Sequence, residues 1–187
     1  MGPILNKLKR KNWLWLKMLI GILVVVLGLA FWFYQGGYFS SEQFLLRQDI
    51  ARLEKALADE PGNADLILEL GINYYASGDL DKAFDTYSRV LDVNPDDYIA
   101  WNNLGNVYRD QFNYQAAREA YEKALELNPN YIPSYLNLVD LFATWPENEH
   151  GEDKKHEILP TLREALELNP ENEMLTETMK IYARYMY

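Results

Sequence analysis

Side chains that could bind a metal or move a proton are few in this chain. It has no cysteine, and His150 and His156 are its only histidines. Both lie in the stretch Trp145 to Glu157, among carboxylates at Glu147, Glu149, Glu152, Asp153 and Glu157. Imidazole and carboxylate groups bind several divalent ions, but a charged surface insertion is usually a solvated loop. We expect a solvated loop, or a contact specific to this protein's partner, and predict no metal and no cofactor.

Nothing in the sequence is typical of an enzyme. We find no glycine-rich phosphate loop and no nucleophile beside a base at a recognisable spacing. The carboxylates are scattered over the outer faces of predicted helices, where they are normally solvated. No catalytic residue is predicted, and enzymatic activity is the least favoured interpretation.

Charge divides the chain into two parts. Residues 1–34 hold five basic residues and no acidic one, whereas residues 35–187 hold 13 basic and 28 acidic residues, a net charge of −15. An acidic domain would repel a phosphate backbone, so nucleic acid is not an expected partner. The basic part adjoins an apolar run and indicates membrane topology.

Residues 13–34 are predicted to form a transmembrane helix. The run from Met18 to Tyr34 is uncharged, and the preceding "WLWL" extends it if Lys17 reaches the interface. That length spans a hydrocarbon core of about 30 Å. The predicted anchor residues are aromatic and basic groups at the two interfaces and two glycines on one helix face: Trp13, Trp15, Lys17, Gly21, Gly28, Trp32 and Tyr34. A cleaved signal peptide is the alternative, but the apolar run exceeds a usual signal core.

The positive-inside rule predicts the orientation. Basic residues cluster in residues 1–12, which we expect to be cytoplasmic, and none directly follow the apolar run. After a short linker at 35–40, the acidic domain would lie on the opposite, periplasmic or extracellular face. A bacterial inner membrane is the expected location.

The remainder of the chain contains an internal repeat. Stepping 34 residues in either direction from "AWNNLGNVY" at Ala100–Tyr108 gives "LILELGINY" and "SYLNLVDLF". Trp101, Leu104 and Tyr108 fall on one helical face, and we expect Gly105 to be small because a second helix passes close to it. Prolines end the repeated helices at Pro61, Pro95, Pro129 and Pro170.

This pattern of a large residue, Leu-Gly, Tyr, Ala, aromatic, Ala and Pro resembles the tetratricopeptide repeat family. The resemblance implies an all-α fold in which the transmembrane helix precedes a right-handed α-solenoid of three helical hairpins. The units are 64–97, 98–131 and 132–172, the last with an insertion of 7 residues and with Val139 and Ile158 at the small positions. A flanking helix at 41–58 and a capping helix at 173–187, polar on its outer side, are predicted at the two ends.

The resemblance also implies a partner-binding groove along the first helix of each unit. The predicted groove residues are those not used within the hairpins: Leu68, Ile72, Tyr75, Asn102, Asn103, Asn106, Arg109, Leu136, Asn137 and Asp140. Amides suit the backbone of an extended peptide. The alternative, that these amides bond neighbouring helices inside the array, stays open. A clamp for a terminal carboxylate is not expected, because its basic positions hold Leu68, Pro133 and Asn137.

Together these features predict a membrane-anchored adaptor. We expect it to bind protein or peptide partners, among them subunits of a membrane complex whose assembly it assists, and to contact the bilayer through its N-terminal helix. A permanent structural subunit of a membrane complex is the alternative.

Overall fold

The structure, a computed structural model, describes residues 2–146 and 154–186, with side chains for residues 18, 21–31, 42–146 and 154–185. The chain divides into two units, residues 1–47 and 48–187. Every regular element in the described part is helical. The all-α prediction is therefore confirmed.

The first unit is a single helix. Helix α1 (Gly2–Asp59) runs through it without a break, and residues 48–59 of the same helix belong to the second unit. The linker predicted at residues 35–40 is helical instead, and Ser41 does not begin a new helix. Gly36 and Gly37 each weaken a helix by only about 1 kcal/mol relative to alanine, and no proline stops it there.

Apolar side chains of this unit are exposed on all sides of α1. The six consecutive residues from Ile22 to Leu27 are each 53–63% exposed. A Cβ added to Gly21 or Gly28 would meet nothing within 4 Å. The side chains of Trp13, Trp15, Lys17, Trp32 and Tyr34 lie outside the described part.

Among the residues that the structure describes, no helix is both long enough and apolar enough to cross a membrane.

The second unit is an array of three helical hairpins between two flanking helices. The hairpins are α2 (Ala64–Ala76) with α3 (Leu80–Val93), α4 (Tyr98–Asp110) with α5 (Tyr114–Leu127), and α6 (Ile132–Thr144) with α7 (Ile158–Leu168). A 3₁₀ turn (Lys154–Glu157) leads into α7, and α8 (Glu173–Met186) ends the array. Side-chain oxygens cap the first four hairpin helices, at Asn63, Asp79, Asp97 and Asn113.

A glycine and a tyrosine hold each of the first two hairpins together. A Cβ added to Gly105 would lie 2.5 Å from Tyr121 Cε1, and one added to Gly71 would lie 2.6 Å from Tyr87 Cε1. Both tyrosine side chains are fully buried. Gly105 is therefore small because a tyrosine ring lies against the helix backbone, a more specific reason than the close helix approach expected from the sequence.

The third hairpin fills the same space with different residues. Val139 stands at the glycine position, and Leu162 stands at the tyrosine position once the insertion is counted. Both are buried, as is Ile158 at the small position. Two medium side chains thus replace a small and a large one, so the hairpin closes without a glycine.

The flanking helices cover the ends of the array. Leu53 and Leu57 of α1 are buried in the core of the first hairpin, and Leu175 of α8 is buried against the third. The outer side of α8 is less polar than predicted, because Met174, Ile181 and Tyr185 are exposed there.

Candidate partner-binding face

The first helices of the three hairpins share one surface, which we call the first-helix face and define by α2, α4 and α6. Residues 34 apart occupy matching places on it, as Ile72, Asn106 and Asp140 do. Ile72 is 46% exposed, whereas Leu68 and Leu136 are partly buried and pack against the cores. Of the three aliphatic residues predicted for the groove, Ile72 alone offers a largely open side chain.

Asn102 does not belong to this face. Its side chain is 4% exposed, and its Oδ1 accepts hydrogen bonds from Ser134 Oγ and Asn137 Nδ2, both at 2.9 Å. The groove prediction is wrong for Asn102, because a buried amide with these partners cannot reach a ligand. The alternative, that the amide bonds a neighbouring helix, is correct here and joins α4 to α6.

Arg109 lies at the centre of a polar cluster that links all three first helices. Its Nε donates to Asp110 Oδ1 at 3.0 Å, its Nη1 to Asp140 Oδ2 at 3.5 Å and its Nη2 to Tyr75 Oη at 3.3 Å. Tyr75 Oη donates in turn to Asp110 Oδ2 at 2.6 Å. The guanidinium is thus engaged within the protein, and two carboxylates surround one cation.

The cluster changes the protonation chemistry of Tyr75. Burial, followed by the hydrogen bond to Asp110 and the charge of that carboxylate, raises the pKa of Tyr75 to about 12. The hydroxyl therefore stays protonated at neutral pH and remains a donor. Tyr75 and Arg109 both lie at the surface that a ligand would meet.

Three amides supply further polar groups to the face. Asn106 Oδ1 accepts from Tyr121 Oη at 2.8 Å, and Asn103 Oδ1 accepts from Asn102 Nδ2 at 3.4 Å. Within the described part of the chain, the Nδ2 groups of Asn103 and Asn106 and the Oδ1 of Asn137 make no hydrogen bond. These groups can therefore bond the backbone of an extended peptide.

Two residues of these polar contacts, one in the Arg109 cluster and one bonded to Asn102, are not predicted from the sequence. Asp110 follows Arg109 at the end of α4 and bonds both Arg109 and Tyr75. Ser134 is completely buried against Asn102. The register gives no signal for Ser134, because its match one repeat earlier is Ala100.

The metal hypothesis falls mostly outside the described residues, because His150, Glu147, Glu149, Glu152 and Asp153 belong to 147–153. In the ranges 2–146 and 154–186, no three histidine or carboxylate groups are placed to hold a metal ion. His156 Nε2 lies 3.6 Å from Glu157 Oε1.

An array of antiparallel hairpins whose first helices form one continuous face is a helical repeat protein. Residues 68–132 match the family model for the tetratricopeptide repeat. This part of the chain therefore consists of tetratricopeptide repeats.

Known proteins share parts of this array. The peroxisomal targeting signal receptor of Candida albicans is 37% identical over 76 residues, which are 41% of this chain and 13% of that receptor. The chain thus matches about an eighth of that relative's length.

Solved structures extend the similarity of fold. The crystal structure of MamA has a TM-score of 0.60 at 18% identity, covering 73% of this chain and 76% of that one. The first tetratricopeptide domain of Spaghetti (RPAP3), bound to the HSP90 peptide SRMEEVD, has a TM-score of 0.53 at 22% identity, covering 66% and 94%. At these identities the likeness concerns the fold alone.

Proposed function

We propose that the protein is a membrane-anchored adaptor that binds an extended segment of a partner protein on its first-helix face. One observation carries the proposal: exposed Ile72 lies on the same face as unbonded amide groups of Asn103, Asn106 and Asn137. An apolar contact fixes one side chain of a peptide while amides bond its backbone. The Spaghetti domain, which holds a peptide in its solved structure, has this fold.

The ligand differs from a terminal carboxylate. Arg109 is already paired with Asp110 and Asp140, so an incoming carboxylate would have to displace them. Asp140 keeps a side chain that is 60% exposed. Charge at this face therefore favours a neutral or basic segment over an acidic one.

The membrane role rests on the sequence of α1. A chain confined to a bilayer meets membrane-complex subunits at a raised effective concentration, so weak peptide contacts suffice. We infer an assembly factor for such a complex, with the N-terminus in the cytoplasm and the array on the opposite face. Binding, not catalysis, is the proposed activity.

A permanent structural subunit is the second candidate. The open surfaces at Gly21 and Gly28 favour it, because small residues on one face let another helix approach α1. Size analysis after detergent extraction separates the two roles: co-migration with one complex in fixed stoichiometry supports a subunit, and a free pool with substoichiometric complexes supports an assembly factor.

Binding at the first-helix face is tested by replacing its exposed aliphatic residue. Ile72→Ser should weaken capture of the partner, identified by crosslinking in the native membrane, by about tenfold, because it removes an apolar contact without adding a charge. Val93→Ser, which alters an exposed aliphatic residue at the end of α3 in the same way, is the matched control. Equal capture by the two variants would contradict the proposal.

A further inference from the structure

A second groove lies away from the first-helix face, between α5 and α7. Its volume is about 440 Å³, and α6 forms its floor through Tyr135, Leu138 and Phe142. Pro129 and Pro160 form apolar parts of its rim. We call it the α5–α7 groove; the proposed peptide-binding function does not use it.

The third hairpin and one substitution in the repeat shape this groove. In the preceding interface, Phe84 packs edge-on against Tyr108 with ring centroids 5.6 Å apart. One repeat later the matching pair is Arg118 and Phe142, with the guanidinium carbon 5.6 Å from the ring centroid. A charged group thus takes the place of an apolar ring and makes one wall of the groove polar. Helix α7 is also shorter than α3 and α5, with 11 residues against 14.

The groove carries an excess of negative charge. Its lining contains four carboxylates, Glu122, Glu126, Glu157 and Glu164, and one cation, Arg118. Arg118 Nε contacts Glu122 Oε1 at 2.6 Å, and its Nη1 lies 3.9 Å from Glu157 Oε1. Lys123, beside the groove, pairs with Glu126 at 2.8 Å. Among the residues that line the groove itself, the carboxylates outnumber the cations by three.

Glu164 is positioned by the floor of the groove. Tyr135 Oη donates to Glu164 Oε1 at 3.3 Å, and no cation pairs with Glu164 among the described residues. Burial, followed by the charge of Glu164 and its hydrogen bond, raises the pKa of Tyr135 to about 12. The tyrosine hydroxyl therefore stays protonated at neutral pH and donates to the carboxylate at the groove edge.

A comparable groove near the start of the array has balanced charge. It has a volume of about 390 Å³, and its charged lining residues are Glu54, Asp85, Lys82 and Arg89. Tyr74 Oη donates to Glu54 there at 2.5 Å, as Tyr135 does to Glu164. Two grooves with the same tyrosine–carboxylate pair therefore differ in net charge, so acidity is not a general property of such grooves in this array.

We propose that the α5–α7 groove binds a basic segment of a partner protein, with a Lys or Arg side chain between Glu157 and Glu164 and apolar neighbours against Pro129 and Pro160. Charge complementarity selects this occupant, because the groove lining holds four carboxylates and one cation, so that an entering cation meets an excess of negative charge. The apolar rim contacts the methylene stem of the same side chain.

The experiment uses the full chain and three fluorescent peptides of one length and one set of apolar residues, with Lys, Gln or Glu at the same positions. Fluorescence polarisation should show that the Lys peptide binds at least about tenfold more tightly than the Gln peptide and that the Glu peptide does not bind. Raised salt should weaken the Lys peptide most. Equal affinity for the three peptides, or no binding of the Lys peptide, would overturn the proposal.

Matched variants locate the binding. The double substitution Glu157→Gln with Glu164→Gln should weaken the Lys peptide by about tenfold, whereas Glu54→Gln with Asp85→Asn in the balanced groove should leave it unchanged. All variants should keep the urea midpoint of the unaltered chain. If Ile72→Ser weakens Lys-peptide binding and the Glu157 and Glu164 pair does not, the peptide lies on the first-helix face. The α5–α7 groove is then not the site of the basic segment, whereas the proposed binding at the first-helix face stands.

Discussion

At the residue scale, two facing side chains fill the space between the two helices of each hairpin, and their sizes are complementary. Gly105 faces Tyr121 and Gly71 faces Tyr87, whereas Val139 faces the space held by Leu162. Core packing near crystal density leaves no room for an extra methyl group beside a buried ring. The identity of one residue of each pair therefore determines which residue the other position accepts.

Gly105→Val alone should destabilise the protein by about 2–3 kcal/mol, because even its Cβ would lie inside the contact distance of the Tyr121 ring. Adding Tyr121→Leu, which reproduces the pair of the third hairpin, should recover a substantial part of the loss. Urea unfolding followed by circular dichroism measures both. Gly62→Val, at a glycine whose added Cβ meets nothing within 4 Å, is the control for adding the same side chain. A double variant no more stable than Gly105→Val would contradict the pairing.

Phe112 is a strained residue in the turn between α4 and α5. Its φ is +61°, it is 76% exposed, and Gly78 occupies the matching place one repeat earlier with φ +80°. Phe112→Gly should raise the free energy of unfolding by about 0.5–1 kcal/mol, since glycine adopts this conformation without a steric cost. The loss of the edge contact with Tyr114 offsets part of the gain.

Thermal unfolding measures the effect, and Gly78→Ala provides the converse test. That variant should lose about 1 kcal/mol, because alanine at a positive φ is strained while the space around Gly78 is open. A lower melting temperature for Phe112→Gly would show that the exposed ring contributes more to stability than the backbone strain costs.

At the element scale, the helices of the array could be predicted and the contacts between hairpins could not. The 34-residue register identifies each hairpin, because apolar spacing, glycine and proline each depend on the geometry of a single helix or of its end. Asn102 and Arg109 show where that reasoning stops. The two residues are seven apart on α4. Contacts with Ser134 and Asn137 of α6 bury Asn102, whereas Arg109 reaches the surface.

The buried amide of Asn102 should make the joint between the second and third hairpins depend on hydrogen bonds. Asn102→Ala is expected to cost about 1–3 kcal/mol, because Ser134 Oγ is then buried without its acceptor. Ser134→Ala should cost less, since Asn137 Nδ2 still donates to Asn102.

A double-mutant cycle on Asn102 and Ser134 measures the coupling directly. We expect about 1 kcal/mol between them, as for residues in one buried network. Asn73→Ala, at an amide outside this network that donates to the Glu69 carbonyl oxygen of its own helix, is the control and should be nearly neutral. Additive losses from Asn102→Ala and Ser134→Ala would mean that the hydrogen bond does not stabilise the joint.

At the scale of the whole molecule, two parts of opposite character follow one another in the chain. Residues 1–34 hold only basic charge and a long apolar run, whereas residues 48–187 form their own buried core, to which the last turns of α1 contribute Leu53 and Leu57. The array therefore has the packing needed to fold without the first unit. Exposed apolar residues from Ile22 to Leu27 have no such role in a core, and an apolar environment outside the chain would account for them.

The membrane proposal predicts the effect of one charge in that run. Val25 is exposed near the middle of the predicted span, and an arginine at the centre of a membrane helix costs about 2.5–3.5 kcal/mol on insertion. Val25→Arg should therefore move a measurable part of the full chain from the membrane to the soluble fraction, whereas Val25→Leu should not. Fractionation with an alkaline wash, read by immunoblotting, makes the comparison.

The urea midpoint of the array should be the same in both variants, because the core of residues 48–187 is untouched. A full chain recovered without detergent in the soluble fraction would rule out the anchor and leave both binding faces to be tested in solution.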